Sequence, residues 1–449
     1  MENIPQKVFT EKDAAKLDTE HVVIPDGYTD IGPPFHGCCD FKSLVIPHSM
    51  KNINTSFLEH YYKLEQITVD ASNPYYCDID GVLFSKDRSV LIYYPPERKG
   101  SEYVIPSGVK KIESGAFNDC NNLINIILPD GLEDIGDDVF WSCSKLEKLN
   151  IPASVTNIGE LAFFNLSSLR SIHVDPACLH YKDVDGVLFT KDQTALIKYP
   201  IRKQHADYTV AETVTRIASC AFMGCGHLEN IKIPESVSFI DRGAFEDCYN
   251  LKGIVLPKNL TELNQWLFNK CVKLKEVTIP EGVTKIGAIS EKHHPEGGAF
   301  RSCESLETVE IPQSVTEIKS ASFIYCYSLK SIRLPAGLKE IEYETFCGCL
   351  ELAEVFIPEG VTRIDERAFS DCYRLKNINI PDSVTHIGKE AFDRCGLPQG
   401  VDYCPRYYGR NRMCENCSYK ANCGITIICG ENSAALEYAK ENGIKFKIR

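Results

Sequence analysis

The chain has 449 residues, 43% of them hydrophobic and 25% charged, with a formal net charge of −13. That length exceeds the roughly 250–300 residues that one globular core supports, and the acidic balance disfavours nonspecific attraction to nucleic acid or anionic membranes. No apolar run reaches the ~20 residues of a membrane-spanning helix, so no membrane span is expected.

Met1–Lys7 lacks a basic region followed by an apolar stretch, so no secretory leader is expected. The expected location is the cytoplasm; a trimmed N-terminus would instead allow a secreted or cell-surface protein. Residues 1–20 are polar and rich in Lys, Asp and Glu, as an N-terminal cap or tail would be. Over residues 21–399 the same text then returns. Pro106, Pro129 and Pro152 stand 23 residues apart, as do Pro234, Pro257 and Pro280, and again Pro312, Pro335, Pro358 and Pro381, while Pro25 and Pro47 carry the register backwards. One copy runs Val109, Ile112, Ala116, Phe117, Cys120, Leu123, Ile126, Leu128, Pro129.

A repeat of this length with this apolar spacing predicts a leucine-rich-repeat solenoid of α/β class, with about 15 rungs of short parallel strands joined by short helical turns. Each rung buries its apolar side only against its neighbours, so the core grows along one dimension and escapes the size limit.

Two rungs are longer by 13 residues each, near 71–100 and 176–205, and share wording: Asp80-Gly81-Val82-Leu83-Phe84 with Leu91-Ile92-Tyr93, and Asp185-Gly186-Val187-Leu188-Phe189 with Leu196-Ile197-Lys198. Two β-rich runs around a polar Lys-Asp turn predict a β-hairpin in each. The copies lie 105 residues apart, which points to duplication of a block of rungs. A loop insertion near 288–298 carries His293 and His294 between Gly and Pro residues, and reads as solvated surface rather than a metal site.

Of 21 cysteines, eleven sit nine residues before the repeat proline or its equivalent: Cys38, Cys120, Cys143, Cys225, Cys248, Cys271, Cys303, Cys326, Cys349, Cys372 and Cys395. Parallel strands ~4.8 Å apart do not offer the converging Cβ atoms a disulfide requires. A column of buried, reduced thiols is expected, with Tyr61 and Leu166 filling two gaps, and that fits a reducing compartment.

Residues 400–424 break the pattern with Cys404, Cys414, Cys417 and Cys423. Cys-x-x-Cys forms a chelating turn, and four thiolates would complete the tetrahedral shell of a structural zinc. An iron–sulfur cluster, local disulfides and unpaired thiols are the other readings of the same spacing. Arg406, Arg410 and Arg412 with Tyr407 and Tyr408 give this stretch the chemistry of a small nucleic-acid or partner contact, although the acidic chain as a whole disfavours a nucleic-acid ligand. Residues 425–449 read as a cap: Asn432 or Ser433 starting a helix, Asn442-Gly443 stopping it, then Ile444, Phe446 and Ile448 alternating as a last strand.

The unit Val-Thr-x-Ile-Gly-x-x-Ala-Phe-x-x-Cys-x-x-Leu-x-x-Ile-x-Ile-Pro resembles the BspA-like group of leucine-rich repeats. Instances are Val155-Thr156-Asn157-Ile158-Gly159, Ala368-Phe369-Ser370-Asp371-Cys372 and Ala391-Phe392-Asp393-Arg394-Cys395. The resemblance implies a bacterial or protist protein that binds other proteins, often as a cell-surface adhesin, and it supplies no catalytic residues. Nucleotide-binding, zinc-protease and serine-hydrolase signatures are absent from the sequence, so no enzyme is expected.

Together these features point to a non-enzymatic scaffold that takes a protein or glycan partner on the concave strand face. Its outward positions lie two, four and five residues before the proline. Phe356 and Arg333 are the expected anchors, with Lys330, Glu310 and Lys232 around them. The alternatives are a surface adhesin, or a zinc or iron–sulfur sensor built on residues 400–424.

Overall fold

The last two residues before each proline alternate outward and inward, and that alternation builds the main sheet. The computed structural model describes residues 7–14, 20–32, 41–58, 61–288, 297–397 and 424–449. They form two units, Met1–Lys203 and Gln204–Arg449, each a solenoid. In the first unit the strands before the prolines include Glu102–Val104, Asn125–Ile127, Lys148–Ile151 and Ser171–Val174, all parallel and in register one repeat apart. In the second, Asp207–Thr209, Asn230–Lys232, Gly253–Val255, Glu276–Thr278 and Thr308–Glu310 form one parallel sheet. Ser331–Arg333, Glu354–Phe356, Asn377–Asn379, Thr426–Cys429 and Lys445–Ile448 form another.

The described residues carry seven such strands in the first unit and ten in the second. Two more than the fifteen expected come from the closing segment. A narrower parallel sheet arises from the Val-x-x-Ile part of each rung, as in Lys111–Ile112, Asp134–Ile135 and Asn157–Ile158. At the start of the chain Val8–Phe9 pairs with Asp30–Ile31 in a sheet of this kind, and Phe9 is buried.

The expected short helical turns occur at Glu11–Ala14 and Thr55–Leu58, after the narrow strands Val8–Phe9 and Asn52–Ile53, but the Ala-Phe-x-x-Cys segments of the later rungs are not helical. In the rung containing Phe245, Gly243 and Asp247 hold positive φ of 60° and 58°. Two left-handed residues four apart are incompatible with a continuing α-helix. Every second amide turns forward instead: Gly243, Phe245 and Asp247 donate to the Gln265, Leu267 and Asn269 carbonyls of the next rung at 2.8–3.0 Å. The amides that alternate with them, Glu246 and then Cys248 just after Asp247, donate back within the turn to Gly243 and Phe245. The turn is therefore a third hydrogen-bonded face between rungs. Asp, Asn, Ser and Gly recur at its left-handed sites, where they are least strained. Trp266, Ala321 and Tyr325 hold the same conformation at a cost of about 1–2 kcal/mol each.

Inside that face the phenylalanines stack. In the second unit Phe222, Phe245, Phe268, Phe300, Phe323, Phe346, Phe369 and Phe392 succeed one another at centroid separations of 5.2–5.7 Å. Tyr438 of the C-terminal helix closes the column edge-on at 6.0 Å. In the first unit Tyr94 heads a column through Phe117, Phe140 and Phe163.

The cysteine column runs beside these rings, and none of the fifteen cysteines among the described residues is in a disulfide. Cys38 lies outside the described residues; the other ten column members are buried. Tyr61 and Leu166 are buried as well. The column thiols also have a polar role that packing alone does not suggest. Cys248 donates to the Phe222 carbonyl at 3.2 Å, Cys271 to Phe245 at 3.1 Å, Cys303 to Phe268 at 3.1 Å and Cys395 to Phe369 at 3.0 Å.

The two long rungs each hold three antiparallel strands rather than two. Tyr76–Ile79, Val82–Ser85 and Val90–Tyr93 make the first meander, and Tyr181–Val184, Val187–Thr190 and Ala195–Lys198 the second. The strand missed by sequence precedes Asp80-Gly81, whose φ of 50° and 82° make a two-residue turn of the mirror-image type that hairpins favour. Tyr76 and Tyr181 use their hydroxyls to accept the amides of Ile53 and Ile158, capping the preceding narrow sheet. At the other end Ser433 is the N-cap of helix Ala434–Glu441, accepting from the Leu436 amide at 3.2 Å. Gly443, φ 65°, supplies the left-handed stop, whereas Asn442 does not.

The ring column and the thiol column can each be tested. Phe268→Ala opens a hole between Phe245 and Phe300, and urea denaturation should show a loss of about 3–5 kcal/mol; a loss below about 1 kcal/mol would mean the rings do not carry the stack. Burial pushes the thiols of Cys120, Cys248, Cys271, Cys303, Cys349 and Cys372 upward. A raised native value leaves stability intact below the unfolded thiol value of ~8.5 and removes it as pH climbs beyond, by about 1.4 kcal/mol per thiol per pH unit. The urea midpoint should fall steeply above pH ~8.5, and a flat profile to pH ~10 would contradict a buried protonated column.

Candidate functional site

Strand alternation leaves one face of the main sheet built of side chains alone. In Asn230–Lys232, Glu276–Thr278, Thr308–Glu310 and Ser331–Arg333 the outer two residues are exposed and the middle one buried. Lys232, Glu310, Lys330, Arg333 and Phe356 are all exposed on this face. The backbone beneath is consumed by the ladder, so any ligand meets side chains only.

Of these five, the geometry brings Arg333 and Phe356 together. They are register partners on adjacent strands, and the guanidinium carbon lies 4.5 Å from the ring centroid. The ring remains 55% exposed. A cation over an aromatic face is held by the ring quadrupole, so the pair offers a flat apolar plate with a fixed charge above it. Asn379 is the register partner on the other side of Phe356.

Lys232 stands apart from this pair, whereas Glu310 holds the strand position of Arg333 one rung earlier. Lys232 pairs in register with Val255 and Glu310 with Thr278, which puts three strand steps, ~14 Å, between them. Val255 is 78% exposed between them and is the most open apolar residue on this face of the unit among the described residues.

Lys330 is engaged elsewhere. Its ammonium meets Glu307 on the preceding rung at 2.5 Å, and this hydrogen bond, then the charge itself, holds the Glu307 carboxyl below its ordinary value. Glu229 with Lys252, Glu147 with Arg170 and Glu20 with Lys42 repeat the arrangement at 2.5, 3.5 and 2.8 Å. Sequence reasoning leaves these charges unpaired, although a signal for the pairing exists: opposite charges one repeat apart at the fifth position before the proline. Such exposed pairs add little stability, but they neutralise this edge of the sheet and leave the column of Val255, Arg333 and Phe356 as its distinctive chemistry.

Cys404, Cys414, Cys417 and Cys423, the candidate metal ligands, lie outside the described residues, as do His293 and His294. Among the described residues no three His, Cys, Asp or Glu side chains gather as a metal site would require, and no helix is long and apolar enough to cross a membrane.

The repeat and its geometry have counterparts in known proteins. The family model for the BspA type leucine rich repeat region matches residues 2–86, 97–185, 203–290 and 296–400. No curated protein matches the chain. Among solved structures, a leucine rich cell surface protein from Faecalibacterium prausnitzii is similar at 25% identity, covering 75% of this chain and 87% of that one with a TM-score of 0.52. A leucine-rich repeat protein from Eubacterium ventriosum shares 19% identity over 87% and 94% of the two chains, TM-score 0.49. The pneumococcal vaccine antigen PcpA shares 18% over 97% and 90%, TM-score 0.47. A family match over most of the length, on the same repeat whose rungs are seen stacked here, makes this chain a member of the BspA type leucine-rich-repeat family.

Proposed function

We propose that the chain is a non-enzymatic interaction scaffold that docks a protein partner on the main sheet of its second unit, with Phe356 as anchor and Arg333 as its oriented charge. The observation that carries this is the exposed ring under a fixed guanidinium on a sheet whose backbone is fully committed. Aromatic and Arg side chains dominate the energetics of protein interfaces, and neighbouring rungs supply the neutral, flat surround that excludes water from them. Lys232 then sits toward the rim, Glu310 lies one rung from Arg333, and Lys330 contributes mainly through its pairing with Glu307.

A second reading, export to the cell surface as an adhesin, draws on the similar Faecalibacterium prausnitzii protein, described as a cell surface protein. The cysteines among the described residues are unbridged, which favours a reducing compartment instead.

Two measurements test these readings. A partner captured by the wild-type chain and then titrated should bind Phe356→Ala about thirtyfold or more weakly. Lys330→Ala should stay within about twofold, because its charge is already matched by Glu307. Equal binding by Phe356→Ala and wild type contradicts the sheet-face reading. Protease treatment of intact producing cells should leave the chain whole; its digestion would favour the adhesin.

A further inference from the structure

The turn face of the second unit carries a separate cleft of 330 Å³ spanning four consecutive rungs. It exists because the position after each column cysteine varies in size. Tyr249 comes after Cys248 and Tyr327 after Cys326, whereas the two rungs between place Val272 and Glu304 at that position. Two tyrosines three rungs apart, ~14 Å, thus flank smaller side chains.

The walls are aromatic and the rim is cationic. Tyr325 and Tyr327 stand with ring centroids 6.2 Å apart, and the Arg301 guanidinium lies over the Tyr325 ring at 5.7 Å. Lys270 lines the same cleft, tethered to Asp247 at 3.5 Å. Tyr249 is 45% exposed. Burial, first among the causes, pushes the Tyr249 and Tyr325 hydroxyls up to about 12, so both stay neutral hydrogen-bonding groups at physiological pH.

The inter-rung amides along this cleft are already committed. The amides of Asp247, Lys270, Ser302 and Tyr325 all donate to the next rung at 2.8 Å. A peptide therefore finds no edge to extend, and recognition falls to side chains: flat phenol faces, two cations, and the Ser302 hydroxyl and Glu304 carboxylate as acceptors. A purely anionic ligand would have no use for Glu304. A ligand with apolar ring faces, hydroxyl donors and an acidic group would use every one of these elements.

We propose that this cleft binds a short acidic oligosaccharide, its sugar faces on Tyr249 and Tyr327, its acidic group on Arg301 and Lys270, and its hydroxyls on Glu304 and Ser302. The site is independent of the docking sheet. Calorimetric titration of the full chain with sialyllactose and trigalacturonate should show binding by at least one, with lactose about tenfold or more weaker. Tyr249→Ala and Arg301→Gln should each lower that affinity about tenfold, while Phe356→Ala leaves it unchanged. Saturation-transfer NMR on the wild-type chain should place the sugar ring protons against aromatic protein protons, a readout that does not depend on any variant folding. The proposal is overturned if neither acidic saccharide binds, if lactose or a hexaglutamate peptide binds as tightly, if folded Tyr249→Ala and Arg301→Gln keep wild-type affinity, or if saturation transfer finds no ring contact.

Discussion

Most rungs are joined through one carbonyl that is satisfied twice. The Phe117 carbonyl accepts the Cys120 amide of its own turn at 3.2 Å and the Cys143 thiol of the next rung at 3.1 Å. The same double acceptance recurs at Phe245, which takes the Cys248 amide and the Cys271 thiol. A buried carbonyl short of donors costs about 1–3 kcal/mol. Cysteine meets the need in a space that is otherwise apolar, being small, hydrophobic and a weak donor at once. The bond also fixes where the next phenylalanine ring lies, because Phe140 and Cys143 share one tight turn. Ring stacking and thiol donation are thus two consequences of one local geometry. At Leu166 the thiol is missing, and there Asn165 and Ser167 on either side donate instead to the Ser142 hydroxyl and the Ser144 carbonyl of the preceding rung, both at 3.1 Å.

Much of this is legible in the amino-acid order, since a period repeated many times averages away local ambiguity. The inward Ile, Leu, Phe and Cys positions come directly from it, as do the outward columns and the closing helix with Ser433 ahead of it. What escapes is conformation that the period does not encode. Apolar spacing in Ala-Phe-x-x-Cys suits a helical turn and a left-handed turn alike. The evidence against a helix lies in the Asp, Asn, Ser and Gly before each cysteine, a preference that Tyr325 and Lys270 blur. The extra meander strand is hidden because polar residues interrupt it, Asp78 in Tyr76–Ile79 and Lys182 with Asp183 in Tyr181–Val184, although Asp80-Gly81 marks its turn.

The candidate site is legible in outline and not in its grouping. Phe356 and Arg333 can be placed side by side because they are one repeat apart at the same position. Lys330 looks equally available, yet its partner Glu307 also stands one repeat away and takes its charge. A solenoid whose three faces all commit their backbone groups between rungs leaves function to side-chain columns. Variation within a column, such as Phe356 among Asn379 and Arg333, or Tyr249 beside Val272, is then where binding chemistry can be written without disturbing the stack.

The central claim is that column thiols are protonated, buried and bonded to the phenylalanine carbonyl one rung back. Raman spectroscopy of the S–H stretch reads this directly. The native protein should show an S–H band shifted to lower wavenumber than that of a free thiol in water, and the band should persist for long periods in heavy water because burial slows exchange. A missing band, or one at the free-thiol position that exchanges at once, would contradict the account.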